Sequence, residues 1–156
     1  MQASDPKTAE KIELSSAMKR ADLLLLEKRA QEKPKEDFLK PLLACYELEK
    51  KSIGKARAFN MVLPGAGYLY LGQKKSALTA ALLNGLFIAA AVHCFQHRHL
   101  AAGIIFTSFE AGWYFGGIYG AGQEAKYYNE RLYEQKAAPL MNQKGLFPVF
   151  MLKYGF

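Results

Sequence analysis

Charge is missing from this sequence over two long stretches. From Ser76 to Phe95, twenty consecutive residues include no Asp, Glu, Lys or Arg, and from Leu100 to Gln123 the only charged side chain is Glu110. The averages, 51% hydrophobic and 22% charged over 156 residues, look globular and hide this segregation. Cysteine is scarce as well. Cys45 and Cys94 form no C-x-x-C pair, which excludes a disulfide or metal framework and leaves two inert thiols. The opening "MQASDPKTAEKIEL" has no apolar core of a leader, so either the first apolar stretch does the targeting or a leader precedes this numbering.

Nucleotide chemistry is excluded by what the glycine-rich stretch lacks. In "VLPGAGYLYLGQKKSA", residues 62–77, Gly67 and Gly72 have the P-loop gap, but Gln73 stands where the lysine must be. The four residues between them, Tyr-Leu-Tyr-Leu, are bulky where such a loop must wrap closely. A dinucleotide fingerprint fails too, because no third glycine follows Gly65 and Gly67 and no βαβ pattern surrounds them. Serines and histidines form no nucleophile–base–orienter set. His93, His97 and His99 cluster at one place in a pattern too weak for a metal site and read as interfacial side chains. The expectation is a protein that is not an enzyme and needs no cofactor.

An apolar stretch of about 20 residues spans the ~30 Å hydrocarbon core as a helix. Residues 76–95 and 100–123 therefore read as two spanning helices joined by Gln96-His97-Arg98-His99. The expected fold is an all-α membrane protein, an antiparallel two-helix hairpin with an N-terminal soluble helical region. The net charge is +7. Its Lys and Arg cluster around the spans, which points to membrane lipid as the partner and away from nucleic acid. Lys55, Arg57, Lys74 and Lys75 precede the spans, Lys126, Arg131 and Lys136 follow them, and the turn has only Arg98. The positive-inside bias then places both termini in the cytoplasm.

Residues 1–57 read as a soluble helical hairpin. Asp5-Pro6 makes a helix start. Leu14, Ala17, Ala21, Leu24 and Lys28 then recur at helical spacing until "EKPKED" breaks the run. A second helix carries Phe38, Leu42, Cys45 or Tyr46, and Leu48, and Pro41 either kinks it or begins it. Residues 58–75 read as an interfacial or re-entrant Pro/Gly segment, apolar over 58–72 but too short to span, with a turn at Pro64-Gly65 and Tyr68 and Tyr70 suited to the headgroup level. Residues 124–156 read as a helix leaving the membrane, ended by Ala137-Ala138-Pro139, and then an apolar interfacial tail. In that tail Phe150, Leu152, Tyr154 and Phe156 alternate like the last strand of an outer-membrane barrel, which keeps an outer-membrane association open as an alternative.

Small residues recur every fourth position on both spans: Ala77, Ala81, Gly85 and Ala89 on the first, Ser108, Gly112, Gly116 and Gly120 on the second. Residues four apart share a helix face, and small ones let backbones approach closely in a membrane. The two ladders fall at similar depths in an antiparallel pair, so they are expected to form its packing face. Asn84 is level with Glu110, and a hydrogen bond between them is expected. Glu110 lies some 200° of helix from Gly112 and so faces away from the ladder, toward an oligomer partner or the 58–72 segment. Its role is a polar pin or, alternatively, part of a proton or ion path through an oligomer.

"LPGAGYLYLGQKKSALTAALL" followed by "EAGWYFGGIYGAGQEAKYYN" resembles a family of bacterial two-span membrane proteins. Those pair a P-G-x-G-x-x-Y-x-G motif ahead of the spans with a G-W-Y-x-G-N-x-Y-G-A motif at their end. The first motif is also similar to that of the wider two-transmembrane (TM-two-type) family. The resemblance covers residues 60–129. It implies a structural signature made of Pro64, Gly65, Gly67, Tyr70, Gly72, Gly112, Trp113, Tyr114, Gly116, Tyr119, Gly120 and Asn129. Gly117 stands where the pattern has Asn. It also implies a bacterial envelope location, no known catalysis and, from relatives with a cleaved leader, an N-terminal region outside the cell, against the charge bias. The expected role is an accessory or scaffold in the bacterial cytoplasmic membrane, with a homo-oligomer or an envelope protein as partner.

Overall fold

The computed structural model describes residues 6–33 and 36–146. Among these residues every regular element is helical: α1 (Pro6–Arg20), α2 (Leu23–Glu32), α3 (Leu39–Glu49), α4 (Ile53–Val62), α5 (Ala66–Tyr70), α6 (Lys74–Gln96) and α7 (Leu100–Gln143). They form two compact units. One is built from the residues up to Lys50 and those from Glu130 onward, the other from Lys51–Asn129.

The first unit is not a self-contained hairpin. Its core joins α1, α2 and α3 to the last turns of α7, with Met18, Leu26, Leu39 and Met141 fully buried. Burying each such side chain is worth roughly 1.5–3 kcal/mol. The run expected as one helix through Leu24 and Lys28 breaks at Ala21, which adopts φ 53°. The Asp22 N–H there bonds the Ala17 carbonyl at 3.1 Å, and the Asp22 carboxylate accepts from the Leu25 N–H at 3.1 Å to cap α2. Leu24 is consequently exposed, not packed. The residue that breaks the stripe is the aspartate, a strong N-cap sitting inside an otherwise helical run.

Pro41 is the third residue of α3, so it begins that helix and does not kink it. Pro139 does not end α7, which continues to Gln143. The proline costs the Gln135 carbonyl its helical donor, but Gln135 is exposed to solvent, and buried Ala137 and Met141 hold the chain on either side. The alternating tail at 150–156 and the Asp5 cap lie outside the described residues.

Tyr133 on α7 is buried, and its hydroxyl donates to the Met18 carbonyl at 2.9 Å. Burial pushes its phenol pKa well above the usual range. At the edge of this unit Lys136 Nζ pairs with Glu49 Oε1 at 2.5 Å and touches Cys45 Sγ at 3.2 Å. Lys136 holds the Glu49 carboxyl below the ordinary carboxylate range. A depressed folded-state pKa means that unfolding takes up a proton in acid. The stabilisation is therefore present at neutral pH and lost as the pH falls through the carboxylate range. Thermal midpoints measured from pH 7 to pH 3 are expected to fall slightly less steeply in Lys136→Met than in the parent; identical slopes would show that the exposed pair contributes nothing.

In the second unit α6 and α7 run antiparallel. Gln73 meets Glu124, the Phe87 and Phe109 rings stack at 6.3 Å, and the Phe95 ring lies over Gly103. The turn between them places Arg98 at φ 61°, with the His99 N–H returning to the Cys94 carbonyl at 2.8 Å. Among the described residues α6 is the one helix long and apolar enough to cross a membrane, and only 11% of its apolar window is buried within the protein. The expected second span is not a separate element. Residues 100–123 are the first half of the 44-residue α7. They include Glu110, Trp113, two tyrosines and six glycines, which lower their hydropathy.

Candidate functional site

The Pro64-Gly65-Ala66-Gly67 turn is where the second unit is clasped together. Gly65 sits at φ 95°, a left-handed conformation that L side chains rarely adopt, and a Cβ there would fall on the Ala77 carbonyl. Its N–H is taken by the side chain of Asn60, which is 2% exposed and accepts at 2.8 Å. Gly67 is buried, and a Cβ there would strike the Ala56 carbonyl and stand 2.9 Å from the side chains of Asn60 and Ala121. These glycines thus bring α4, α5, α6 and α7 into contact. Gly72 serves conformation alone, at φ 79° with open space around it.

The aromatic and amide side chains near this turn tie α4 and α5 to α7. The Tyr70 hydroxyl accepts from the Ser52 N–H at 3.1 Å, while its ring packs edge-on against Phe59 and under the Lys51 ammonium. Asn129 imitates a backbone strand: its Oδ1 accepts from the Lys51 N–H at 2.7 Å and its Nδ2 donates to the Lys51 carbonyl at 2.8 Å. The Tyr114 hydroxyl donates to the Met61 carbonyl at 2.5 Å, and the Arg57 guanidinium lies over the Tyr119 ring. Asn60 is the functional residue that sequence reasoning missed. Its one signal is its place, an amide at the end of an apolar helical run just ahead of Pro-Gly.

The small-residue ladders do not form the packing face. Ala81, Gly85, Ala89, Ser108, Gly112 and Gly116 are all exposed, and a Cβ at Gly85, Gly112 or Gly116 meets nothing within 4 Å. Only the ends of the ladders engage: Ala77 is buried beneath Gly65, and Gly120 lies under the Tyr68 hydroxyl. On α7 the packing face is the opposite one, with Gly103 and Ala121 buried, and on α6 the buried residues are Ala77, Asn84 and Ala91.

Asn84 and Glu110 are also arranged differently from expectation. No hydrogen bond joins them. Asn84 Nδ2 donates to the Ala80 carbonyl of its own helix at 2.6 Å. Asn84 Oδ1 and Glu110 Oε2 are both buried without a hydrogen-bond partner. Glu110 does face away from the glycine ladder, as its helical angle requires, but it turns toward α6 beside a cavity of about 250 Å³ lined by Ile88, Ala91 and Thr107.

On the glycine side a groove of about 670 Å³ runs between α6 and α7. Gly112, Gly116 and Gly120 line it together with Trp113 and Asn84. Its mouth is polar, with Lys75, Ser76 and the Gln73–Glu124 hydrogen bond of 2.6 Å. An apolar trough with a polar end has the form of a binding groove. Among the described residues no group of His, Cys, Asp and Glu is disposed to hold a metal ion. In comparisons with known proteins, no family model, no curated protein and no solved structure matches this chain.

Proposed function

We propose that this chain is a non-enzymatic integral membrane protein of the bacterial envelope, an accessory or scaffold in which α6 and the first half of α7 cross the cytoplasmic membrane and anchor a soluble helical unit. The observation that carries this reading is the apolar surface left uncovered. Leu78, Leu82 and Leu86 on α6 are each more than 60% exposed, as are Phe109 and Phe115 on α7. A helix this apolar inside a soluble protein would be buried; here it needs a non-aqueous surrounding. The turn at Pro64-Gly65 and its tyrosines lie beside the basic residues Lys74 and Lys75, as suits a membrane boundary.

Alkaline carbonate extraction of cell membranes tests the reading, and the protein is expected to stay with the lipid. Release into the supernatant would refute it. A membrane-impermeant maleimide applied to intact cells then reads orientation: a Gln96→Cys variant is expected to label while Cys45 does not. Sucrose-gradient fractionation is expected to place the protein with inner-membrane markers.

A second reading, a proton- or ion-conducting oligomer, is favoured by the buried, unpartnered Glu110 Oε2 beside its cavity. Glu110→Gln separates the two. A scaffold keeps its assembly and its cellular phenotype in that variant, and a conductor loses the phenotype.

A further inference from the structure

We propose that α4 and α5 form a re-entrant element, which enters the bilayer at the Lys74 end of the spans, turns at Pro64-Gly65 among the acyl chains and leaves on the same side. The Lys51–Asn129 unit is then broader in that leaflet than in the other, where, among the described residues of this unit, α6 and α7 run alone. This rests on the reading of α6 and α7 as membrane helices.

The direction of α4 is the first observation. A helix lying in the plane of the interface would cross α7 at one level. The contacts of α4 instead step along α7. The Lys51 backbone pairs with Asn129, Arg57 lies against Gly122, Asn60 against Gly117, and the Met61 carbonyl meets the Tyr114 hydroxyl. α4 therefore runs antiparallel beside α7. The Gln73–Glu124 hydrogen bond marks the level at which both spans leave the membrane. Gly117 lies seven residues, about 10 Å of helix rise, inside that level. The chain then returns, with Gly65 on Ala77, Gly67 on Ala121 and the Tyr70 hydroxyl back at Ser52.

The second observation is where charge stops. Residues 58–73 hold no Asp, Glu, Lys or Arg, and Arg57 and Lys74 flank them at the entry and the exit. Around the turn Met61, Val62 and Leu63 are 57–86% exposed. The turn sits on Ala77, one residue before the exposed Leu78, so the apolar surfaces of the turn and of α6 share a depth. Acyl chains cover both at once, whereas a turn in water would leave these three side chains bare.

The third is how the backbone of the turn is satisfied. In the bilayer core no water replaces a missing partner, so irregular backbone persists there only where the protein supplies the bonds. The Gly65 N–H goes to the buried Asn60 side chain at 2.8 Å, the Met61 carbonyl takes the Tyr114 hydroxyl, and the Leu63 carbonyl takes the Ala66 N–H at 2.9 Å. Two of these three partners are side chains, one of them brought from α7. A turn at the surface has solvent for the same purpose.

Depth-dependent fluorescence quenching in phosphatidylcholine–phosphatidylglycerol vesicles tests the proposal. The probe is nitrobenzoxadiazole on single cysteines in the full chain, with Cys45→Ser and Cys94→Ser. At Val62→Cys a nitroxide midway along the acyl chain is expected to quench about twofold more than one on the headgroup. Lys55→Cys, near the entry, should show the reverse order. Leu86→Cys, exposed on α6, reads the spans themselves and should follow Val62→Cys. Should Val62→Cys fail to fold, Leu63→Cys, 62% exposed beside it, takes its place. Stronger quenching of Val62→Cys from the headgroup overturns the proposal in favour of a surface helix. Quenching from neither position overturns it in favour of a protein cover over the turn. A Leu86→Cys probe that the acyl nitroxide leaves bright would instead remove the membrane reading beneath it. Quenching of Leu86→Cys without that of Val62→Cys refutes the re-entrant element alone.

Discussion

Alanine at Gly67 is expected to destabilise the Lys51–Asn129 unit by about 1–3 kcal/mol, the usual cost of overpacking a filled site. The added methyl meets the Ala56 carbonyl oxygen and the Cβ atoms of Asn60 and Ala121. None of these is the free end of a flexible side chain, so relief requires α5 to move away from α4 or α7. Such a movement pulls the Gly65 N–H from Asn60 Oδ1 and exposes a buried donor, which adds to the loss. Gly116→Ala is the matched control. A Cβ there meets nothing, and alanine is the better helix former by up to ~1 kcal/mol, so the free protomer should be unchanged or slightly more stable. Thermal unfolding followed by the fluorescence of Trp113, the one tryptophan, distinguishes the two in detergent at a dilution where the chain is monomeric. Equal midpoints for Gly67→Ala and Gly116→Ala would show that the close approach at Gly67 is not maintained.

Arg29→Met is expected to cost the first unit about 3–5 kcal/mol, the range for breaking a buried ion pair by removing one partner. The Arg29 side chain is 5% exposed and sits between two carboxylates. It bonds Glu36 Oε1 at 3.1 Å, with the Glu36 side chain only 11% exposed, and it pairs with the more open Glu13. Glu36 Oε2 already lacks a partner. Methionine keeps most of the methylene packing of the arginine stem, so the loss comes from the carboxylate left uncompensated. Adding Glu36→Gln to Arg29→Met should then recover a large part of the stability, a coupling that a double-mutant cycle in urea measures. If Arg29→Met unfolds at the parent's urea midpoint, the pair has no net worth.

Several features were legible because their causes are local. Proline starts α1 at Pro6 and tolerates only the first turn of α3 at Pro41. A turn was expected at Pro64-Gly65, and Gly65 makes it in the left-handed conformation. The charge-free stretch from Ser76 to Phe95 lies within α6, and the polar Gln96–His99 segment is the turn. Other features were hidden because they depend on what arrives from elsewhere. A proline after two alanines reads as a helix end, yet α7 passes Pro139 because Met141 finds a core built by α1, α2 and α3. Asn60 looks like one polar residue in an apolar run until the turn folds back and presents the Gly65 N–H to it.

From the sequence alone, then, the helical class, the position of the long apolar helix, the turns at Pro64-Gly65 and Gln96–His99 and the existence of two small-residue ladders were determined, since periodicity and backbone stereochemistry are properties of neighbouring residues. The tertiary structure alone decided which faces meet. α6 is apolar around its whole circumference, so no contrast between wet and dry sides marks its inner face. The Phe95 ring over Gly103 and the clasp of Gly67 against Ala121 fix the rotation of α7, which turns Glu110 toward α6 and leaves Gly112 and Gly116 facing out.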